Sequence, residues 1–189
     1  EIGDEPYLIK KNHKEIAVIV SEKRDIGIEK TLKKIDDIQM FVLDDAFQHR
    51  SLKCSLNIVL SKFSSPYYND FVIPTGNLRE PKSGIKRAQI IIISKCPDDL
   101  DINKRKEIIK KINPLSNQNV FFTSIDYDDI IKGQNKIKTK DLINSSVLLV
   151  TGIADSSELK KYLKKNKISF DHLEYDDHYN YSTVDINLI

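Results

Sequence analysis

A chain of 189 residues, 40% hydrophobic and 31% charged, is long enough for one sizeable domain or two small ones. Its 30 Lys+Arg against 28 Asp+Glu leave a formal charge of +2, so no strong field selects nucleic acid as a partner. No stretch reaches the length of a transmembrane span or reads as a signal peptide, and two distant cysteines, Cys54 and Cys96, make neither a metal cluster nor a disulfide framework, which fits a reducing cytoplasm.

The opening string, Glu1-Ile2-Gly3-Asp4-Glu5-Pro6, carries no initiator Met, and 182–189 reads as a helix opening that stops abruptly, so a fragment is expected. Residues 3–6 read as a loop with two acids. Residues 16–20 predict a strand, and Asp25 predicts the cap of a helix through Ile35, with Ile28, Leu32 and Ile35 on one face. Inside that helix, Gly27-Ile28-Glu29-Lys30-Thr31 fails as a phosphate loop. The motif needs Gly directly before Lys, and Glu29 stands there. No Walker A string occurs elsewhere in the chain.

Met40-Phe41-Val42-Leu43 then runs into Asp44-Asp45. The apolar run predicts a strand buried on both faces, as in a parallel α/β sheet, and ligands of such sheets sit outside the carboxyl ends of the strands. Phosphoryl-transfer enzymes of the P-loop type place an Asp there to hold Mg²⁺, directly or through water. Two adjacent buried carboxylates are costly unless a cation or hydrogen bonds compensate them. The alternative is an ordinary strand exit with solvated acids, which the Gln48-His49-Arg50 tail makes less ordinary.

Residues 56–60 predict the next strand. The stretch 64–79 is aromatic and turn-rich. Arg79, beside a Pro-Gly turn, has the chemistry to clamp a phosphate through a bidentate fork, or else to pair with Glu80. Lys82, Lys86 and Arg87 make the neighbourhood basic and suited to an anionic ligand. Residues 89–95 form the most apolar strand, ending at Ser94-Lys95-Cys96-Pro97-Asp98, where Pro97 replaces the acid of a guanine-reading loop. Residues 101–112 predict a helix with Ile102, Ile108, Ile109 and Ile112 inward, stopped at Asn113-Pro114. A strand at 120–124, a polar hairpin at 132–140 with a Gly-Gln-Asn turn, and a strand at 146–154 ending in a Gly turn follow. Asp155 or Ser156 is the expected cap of a helix through Leu159, Tyr162 and Leu163. A strand at 168–173 leads to Asp176-Asp177-His178. A His beside carboxylates at a strand end is a general-base candidate, oriented and made more basic by its neighbour; a surface His is the alternative.

Six strings stand in order across nearly the whole chain. They are Gly3-Asp4-Glu5-Pro6, Asp44-Asp45-Ala46-Phe47-Gln48-His49-Arg50, Ile73-Pro74-Thr75-Gly76-Asn77-Leu78-Arg79-Glu80-Pro81, Lys86-Arg87-Ala88, Thr151-Gly152-Ile153-Ala154, and Asp177-His178 with Tyr181. Together they resemble the tetraacyldisaccharide 4'-kinase family of lipid A biosynthesis. Ala46 and Lys95-Cys96-Pro97 are most similar to its Bacteroidetes branch. The resemblance implies transfer of the γ-phosphate of ATP to the 4'-hydroxyl of an acylated glucosamine disaccharide 1-phosphate, at the cytoplasmic face of the bacterial inner membrane. Peripheral contact with that membrane would run through an N-terminal segment not present here.

The same resemblance implies Asp44 and Asp45 as Walker B acids organising Mg²⁺. It implies Asp4 and His178, with Asp177 beside it, as the catalytic group activating the sugar hydroxyl, and Gln48, His49 and Arg79 as lining the nucleotide or substrate site. The family's Gly-rich phosphate loop and its Thr-Glu-Lys-Asp string are absent, and Tyr179 stands where His or Gln is usual. The expected fold is therefore α/β: a truncated P-loop-kinase-like parallel sheet core over 1–88 and a smaller α/β half over 89–189. Without the phosphate cradle, the 189 residues alone are expected to be inactive. The rival reading is a non-catalytic module that binds nucleotide or acylated sugar.

Overall fold

The computed structural model describes residues 3–133 and 135–188; Glu1, Ile2, Ile189 and Gln134 of the expected Gly-Gln-Asn turn lie outside the described residues. The chain divides into two compact units, Glu1–Ser124 and Ile125–Ile189. The expected division lay at 88/89; residues 58–62 and 90–94, on either side of it, pair with each other as strands.

In the first unit the elements are α1 (Asp4–Asn12), α2 (Arg24–Leu32), β1 (Ile58–Lys62), β2 (Ile90–Ser94), α3 (Ile102–Ile112) and β3 (Asn119–Phe122). The three strands form a parallel sheet with β2 in the middle. Ile91 faces Val59 on one side and Val120 on the other, and Ile93 faces Ser61 and Phe122. Ile91 and Ile93 are both 0% exposed. A run of β-branched residues packs well on a pleated surface with neighbours on both edges, which is why this run became the centre of the unit. Ile108 and Ile112 of α3, with Ala88 and Cys96, complete the core.

α3 shows a narrower apolar stripe than its sequence suggests. Ile108 and Ile112, four residues apart, face the sheet, whereas Ile102 is 63% and Ile109 37% exposed. Its start is set by Asp101, whose Oδ1 accepts the N–H groups of Asn103 (2.5 Å) and Lys104 (3.2 Å). Asp101→Ala is expected to cost about 1 kcal/mol, the usual loss for an N-cap, read as a lower urea midpoint with unchanged slope. Asn113, in the left-handed region, ends the helix as expected.

Five expectations in this unit are corrected. Residues 3–6 are not all loop, since α1 begins at Asp4. Pro6 falls in its first turn, where the missing N–H has no intrahelical partner in any case, and Asp4, Glu5, Lys10 and Lys11 complement the helix dipole. α2 has Lys23 as its N-cap rather than Asp25 and ends at Leu32, before Ile35. It buries Gly27 and Thr31 while Leu32 and Ile35 are exposed. The strand expected at 56–60 is shifted to Ile58–Lys62, the register that matches β2. Residues 16–20 and 40–43 are not strands. Met40 is 76% and Val42 84% exposed. A strand exists through its ladder, and among the described residues neither run has a partner.

The second unit contains a short antiparallel hairpin, β4 (Ile130–Ile131) with β5 (Ile137–Lys138), where the polar excursion was expected. A parallel pair follows, β6 (Leu148–Thr151) with β7 (Asp171–Glu174), connected through α4 (Ser157–Lys165). β7 begins later than the expected 168, because Ile168 is instead buried with Leu163 of α4. Of the two expected caps of α4, Ser156 stands at the N-cap but makes no side-chain capping bond, its Oγ donating to Glu174 Oε1 at 2.5 Å, while Asp155 Oδ1 accepts the Ser157 N–H. α5 (Thr183–Leu188) opens on a reciprocal box in which Asp185 accepts the Ser182 N–H and Ser182 Oγ accepts the Asp185 N–H.

Candidate functional site

The Asp44-Asp45 string sits in a tight loop. Residues 46–52 turn through hydrogen bonds from the His49 N–H to Ala46 O, Arg50 N–H to Gln48 O and Leu52 N–H to His49 O. Asp44 Oδ1 accepts the Asp45 N–H at 3.0 Å, and Asp45 lies at φ 45°. A non-glycine residue in the left-handed region costs of order 1 kcal/mol and persists only when its surroundings hold it there. The two acids are exposed rather than buried side by side, so the penalty expected for paired buried carboxylates does not arise.

What holds Asp45 is Arg79, whose Nη1 donates to both carboxylate oxygens at 2.7 and 2.9 Å. Both side chains are more than half exposed, so the pair contributes little stability and mainly sets direction. Arg79 is itself placed by a turn over 70–78. Leu78 N–H bonds to Phe71 O and Ile73 N–H to Leu78 O, while Asp70 Oδ1 accepts the N–H groups of Phe71 and Asn77. Those donors hold the Asp70 carboxyl below its ordinary range. Gly76 is required there, because a Cβ would collide with Asp70 and the Phe71 carbonyl.

The residue after Arg79 is the one that sequence reasoning missed. Arg79 pairs with Asp45 rather than with the Glu80 considered for it from the sequence. Glu80 faces elsewhere, accepting from Arg87 Nη1 and Nη2 (2.9 and 2.8 Å), Arg50 Nη2 (3.0 Å) and Gln48 Nε2 (3.4 Å). Arg87 also donates to the Phe47 carbonyl at 3.1 Å and stacks over the Phe47 ring. The available signal was compositional: between 79 and 87, Glu80 is the sole acid among Arg79, Lys82, Lys86 and Arg87. The Arg87 hydrogen bonds, ahead of those from Arg50, hold the Glu80 carboxyl below its ordinary value of 4.5. Its contribution is therefore present above pH 4.5 and is lost as pH falls through the depressed folded value. Acidification from pH 4.5 downward is expected to loosen residues 44–50 before the sheet melts, seen as amide exchange in that loop rising ahead of β2. His49 lines an adjoining cavity of about 280 Å³ with Arg50, Lys53, Cys54, Asn57 and Arg87.

Asp177 and His178 follow β7 in the second unit. His178 Nε2 lies 3.8 Å from Asp177 Oδ2, with both side chains about half exposed. His178 is at φ 56°, and its N–H donates to Gly152 O in the Thr151-Gly152-Ile153-Ala154 string. Tyr175, Tyr179 and Tyr181 pack ring to ring around this turn, with centroids 4.7–5.3 Å apart. Asp4 opens α1 in the first unit, exposed, with its Oδ1 accepting the Glu5 N–H.

Among the described residues no group of three or more His, Cys, Asp or Glu could hold a metal ion. Two carboxylates still suit Mg²⁺, which is commonly bound by one or two protein acids with water and phosphate oxygens completing its octahedron. Asp44 and Asp45 meet that requirement, and a Ca²⁺-like protein cage is not built. Both cysteines are free, with Cys54 exposed and Cys96 buried.

Residues 1–189 match the family model for LpxK, tetraacyldisaccharide-1-P 4'-kinase. The chain belongs to the LpxK family. It is 38% identical over 189 residues to the tetraacyldisaccharide 4'-kinase of Flavobacterium johnsoniae, covering 100% of this chain and 55% of that protein. It is 40% identical over 184 residues to that of Flavobacterium psychrophilum, and 36% over 200 residues to that of Bacteroides thetaiotaomicron. The expected likeness to the Bacteroidetes branch is thus present. The chain spans about half the length of the curated LpxK relatives it matches. A crystal structure of LpxK from Aquifex aeolicus in complex with ATP superposes with a TM-score of 0.69 at 29% identity, covering 96% of this chain and 54% of that one. That likeness, with the parallel strands and flanking helices described above, establishes the expected α/β fold.

Proposed function

We propose that this chain is part of an ATP-dependent kinase that phosphorylates the 4'-hydroxyl of an acylated glucosamine disaccharide 1-phosphate. The observation that carries the reading is the family match over all 189 residues, along which the six strings fall in order. In this reading Asp44 and Asp45 hold Mg²⁺, which when bound neutralises charge on the phosphoryl oxygens. Arg79, released from Asp45, is a fork suited to a phosphate, and Gln48 and His49 line the same site. His178, with Asp177 beside it at 3.8 Å, takes the proton of the sugar hydroxyl in this reading, and Asp4 is assigned to activating the same hydroxyl.

Peripheral attachment at the cytoplasmic face of the bacterial inner membrane belongs to the same proposal. No helix among the described residues is long and apolar enough to cross a membrane.

The test is a 4'-kinase assay with ATP, Mg²⁺ and detergent-dispersed tetraacyldisaccharide 1-phosphate, run on the full-length gene product beside these 189 residues. Turnover by the full-length product and none by the 189 residues, which contain no phosphate-loop string, is the expected result. A full-length product that binds ATP or the lipid without turnover would replace the kinase with a binding module.

A further inference from the structure

We propose that Glu80 is the positioning residue for the Asp44-Asp45 turn, acting through Arg87, Arg50 and Gln48. The proposal rests on the reading of Asp44 and Asp45 as the metal-holding acids.

The run that leads into the turn, 40–43, has no strand partner among the described residues and exposes Met40 and Val42. Backbone pairing therefore does not place the two acids, and Asp45 occupies a left-handed conformation that its surroundings must impose. Two consecutive residues supply that constraint with opposite charge. Arg79 takes the Asp45 carboxylate, and Glu80 takes Gln48 and Arg50 on the far side of the same loop.

Arg87 adds a third hold. It is gripped by both Glu80 oxygens while it donates to the Phe47 carbonyl and covers the Phe47 ring. The Glu80 side chain is 14% exposed, and one carboxylate balances two guanidiniums there. Its removal takes from both guanidiniums the carboxylate that they share, a charge-assisted partner for each. Buried Gly84 makes room for it: a Cβ at that position would overlap Glu80 Oε2 and press on Arg87 Nη1. Since Gly84 has no positive φ, an added methyl acts on the Glu80 carboxylate rather than on the backbone.

Two variants thus disturb one contact in different ways. Glu80→Gln removes charge and keeps shape; Gly84→Ala keeps charge and displaces the carboxylate. The readouts are Mn²⁺ affinity of the full-length gene product by electron paramagnetic resonance, and kcat with KM for ATP and lipid. Residues that orient metal ligands from behind typically change metal affinity or activity by 10–100-fold. Both variants are accordingly expected to bind Mn²⁺ about 10-fold more weakly and to lose kcat, with the lipid KM unchanged and the folded fraction retained. The double variant Glu80→Gln/Arg87→Met is expected to be no worse than its worse single, because the residues act as one unit.

Folded Glu80→Gln or Gly84→Ala protein with the Mn²⁺ affinity of the unaltered enzyme, while Asp44→Asn has lost it, overturns the positioning role alone. Mn²⁺ binding unaffected by Asp44→Asn removes the metal reading of the two acids, and the positioning role with it.

Discussion

Full-length gene product carrying His178→Ala is expected to keep its fold and its ATP binding while kcat falls by about 10²–10⁴-fold, the range contributed by a positioned general base. The structural cost of the truncation is small. The His178 ring is 56% exposed, so no cavity is opened, and replacement of exposed side chains usually moves stability by less than about 0.5 kcal/mol. Alanine at φ 56° adds some strain, confined to a turn held by the bond from the residue-178 N–H to Gly152 O. A loss of activity with an unchanged melting temperature therefore reports chemistry rather than unfolding. His178→Gly, which accepts the left-handed conformation freely, is the matched control and should be equally inactive. Asp177→Asn is expected to act more mildly, since a 3.8 Å approach between half-exposed groups orients and polarises only weakly. Activity in His178→Ala equal to the unaltered enzyme would leave the family membership intact and remove His178 from the proposed mechanism.

The second large effect concerns stability. Ile91→Ala in these 189 residues is expected to cost about 2–5 kcal/mol, the usual range for emptying a close-packed core position of an Ile side chain. Ile91 is 0% exposed and stands between Val59 and Val120 in the central strand, so neighbours on both edges and the α3 face prevent collapse into the void. The first unit has few other fully buried side chains to share the load, and domains are only about 5–15 kcal/mol stable in total. Loss of the urea baseline at room temperature is the expected observation. Met40→Ala is the contrast: 76% exposed, it should change the midpoint by less than about 0.5 kcal/mol. Equal costs at the two positions would mean that residues 40–43 are packed as a strand after all.

That contrast locates what could be read in advance. Both 40–43 and 90–94 are apolar runs, and composition alone assigns them the same structure. Only 90–94 finds a neighbour on each edge, because strand identity is a property of pairs and of sequence-distant ladder partners. Local signals fared better where the physics is local. The Asn113 stop, the helix opening at 182 and the start of α4 beside Asp155 and Ser156 all involve residues within a few positions of one another. α1 was missed because Gly3, two acids and Pro6 were read as turn residues, when their positions in a first turn make each of them tolerable or favourable.

The candidate site divides in the same way. The order and spacing of six short strings determined the family, the α/β class and the residues around which any chemistry must be sought, because motif identity is carried in linear sequence. The sequence could not decide who partners whom. Arg79 had Glu80 as its nearest acid, yet it reaches 34 residues back to Asp45, while Glu80 turns to Arg50, Gln48 and Arg87. Adjacent residues in extended or turning backbone point in different directions, so a neighbour in sequence is often not a neighbour in space. Tertiary structure alone placed Asp45 under Arg79 and made Glu80 the centre of the clamp, because charge pairing depends on distances of a few ångströms that only the folded chain sets.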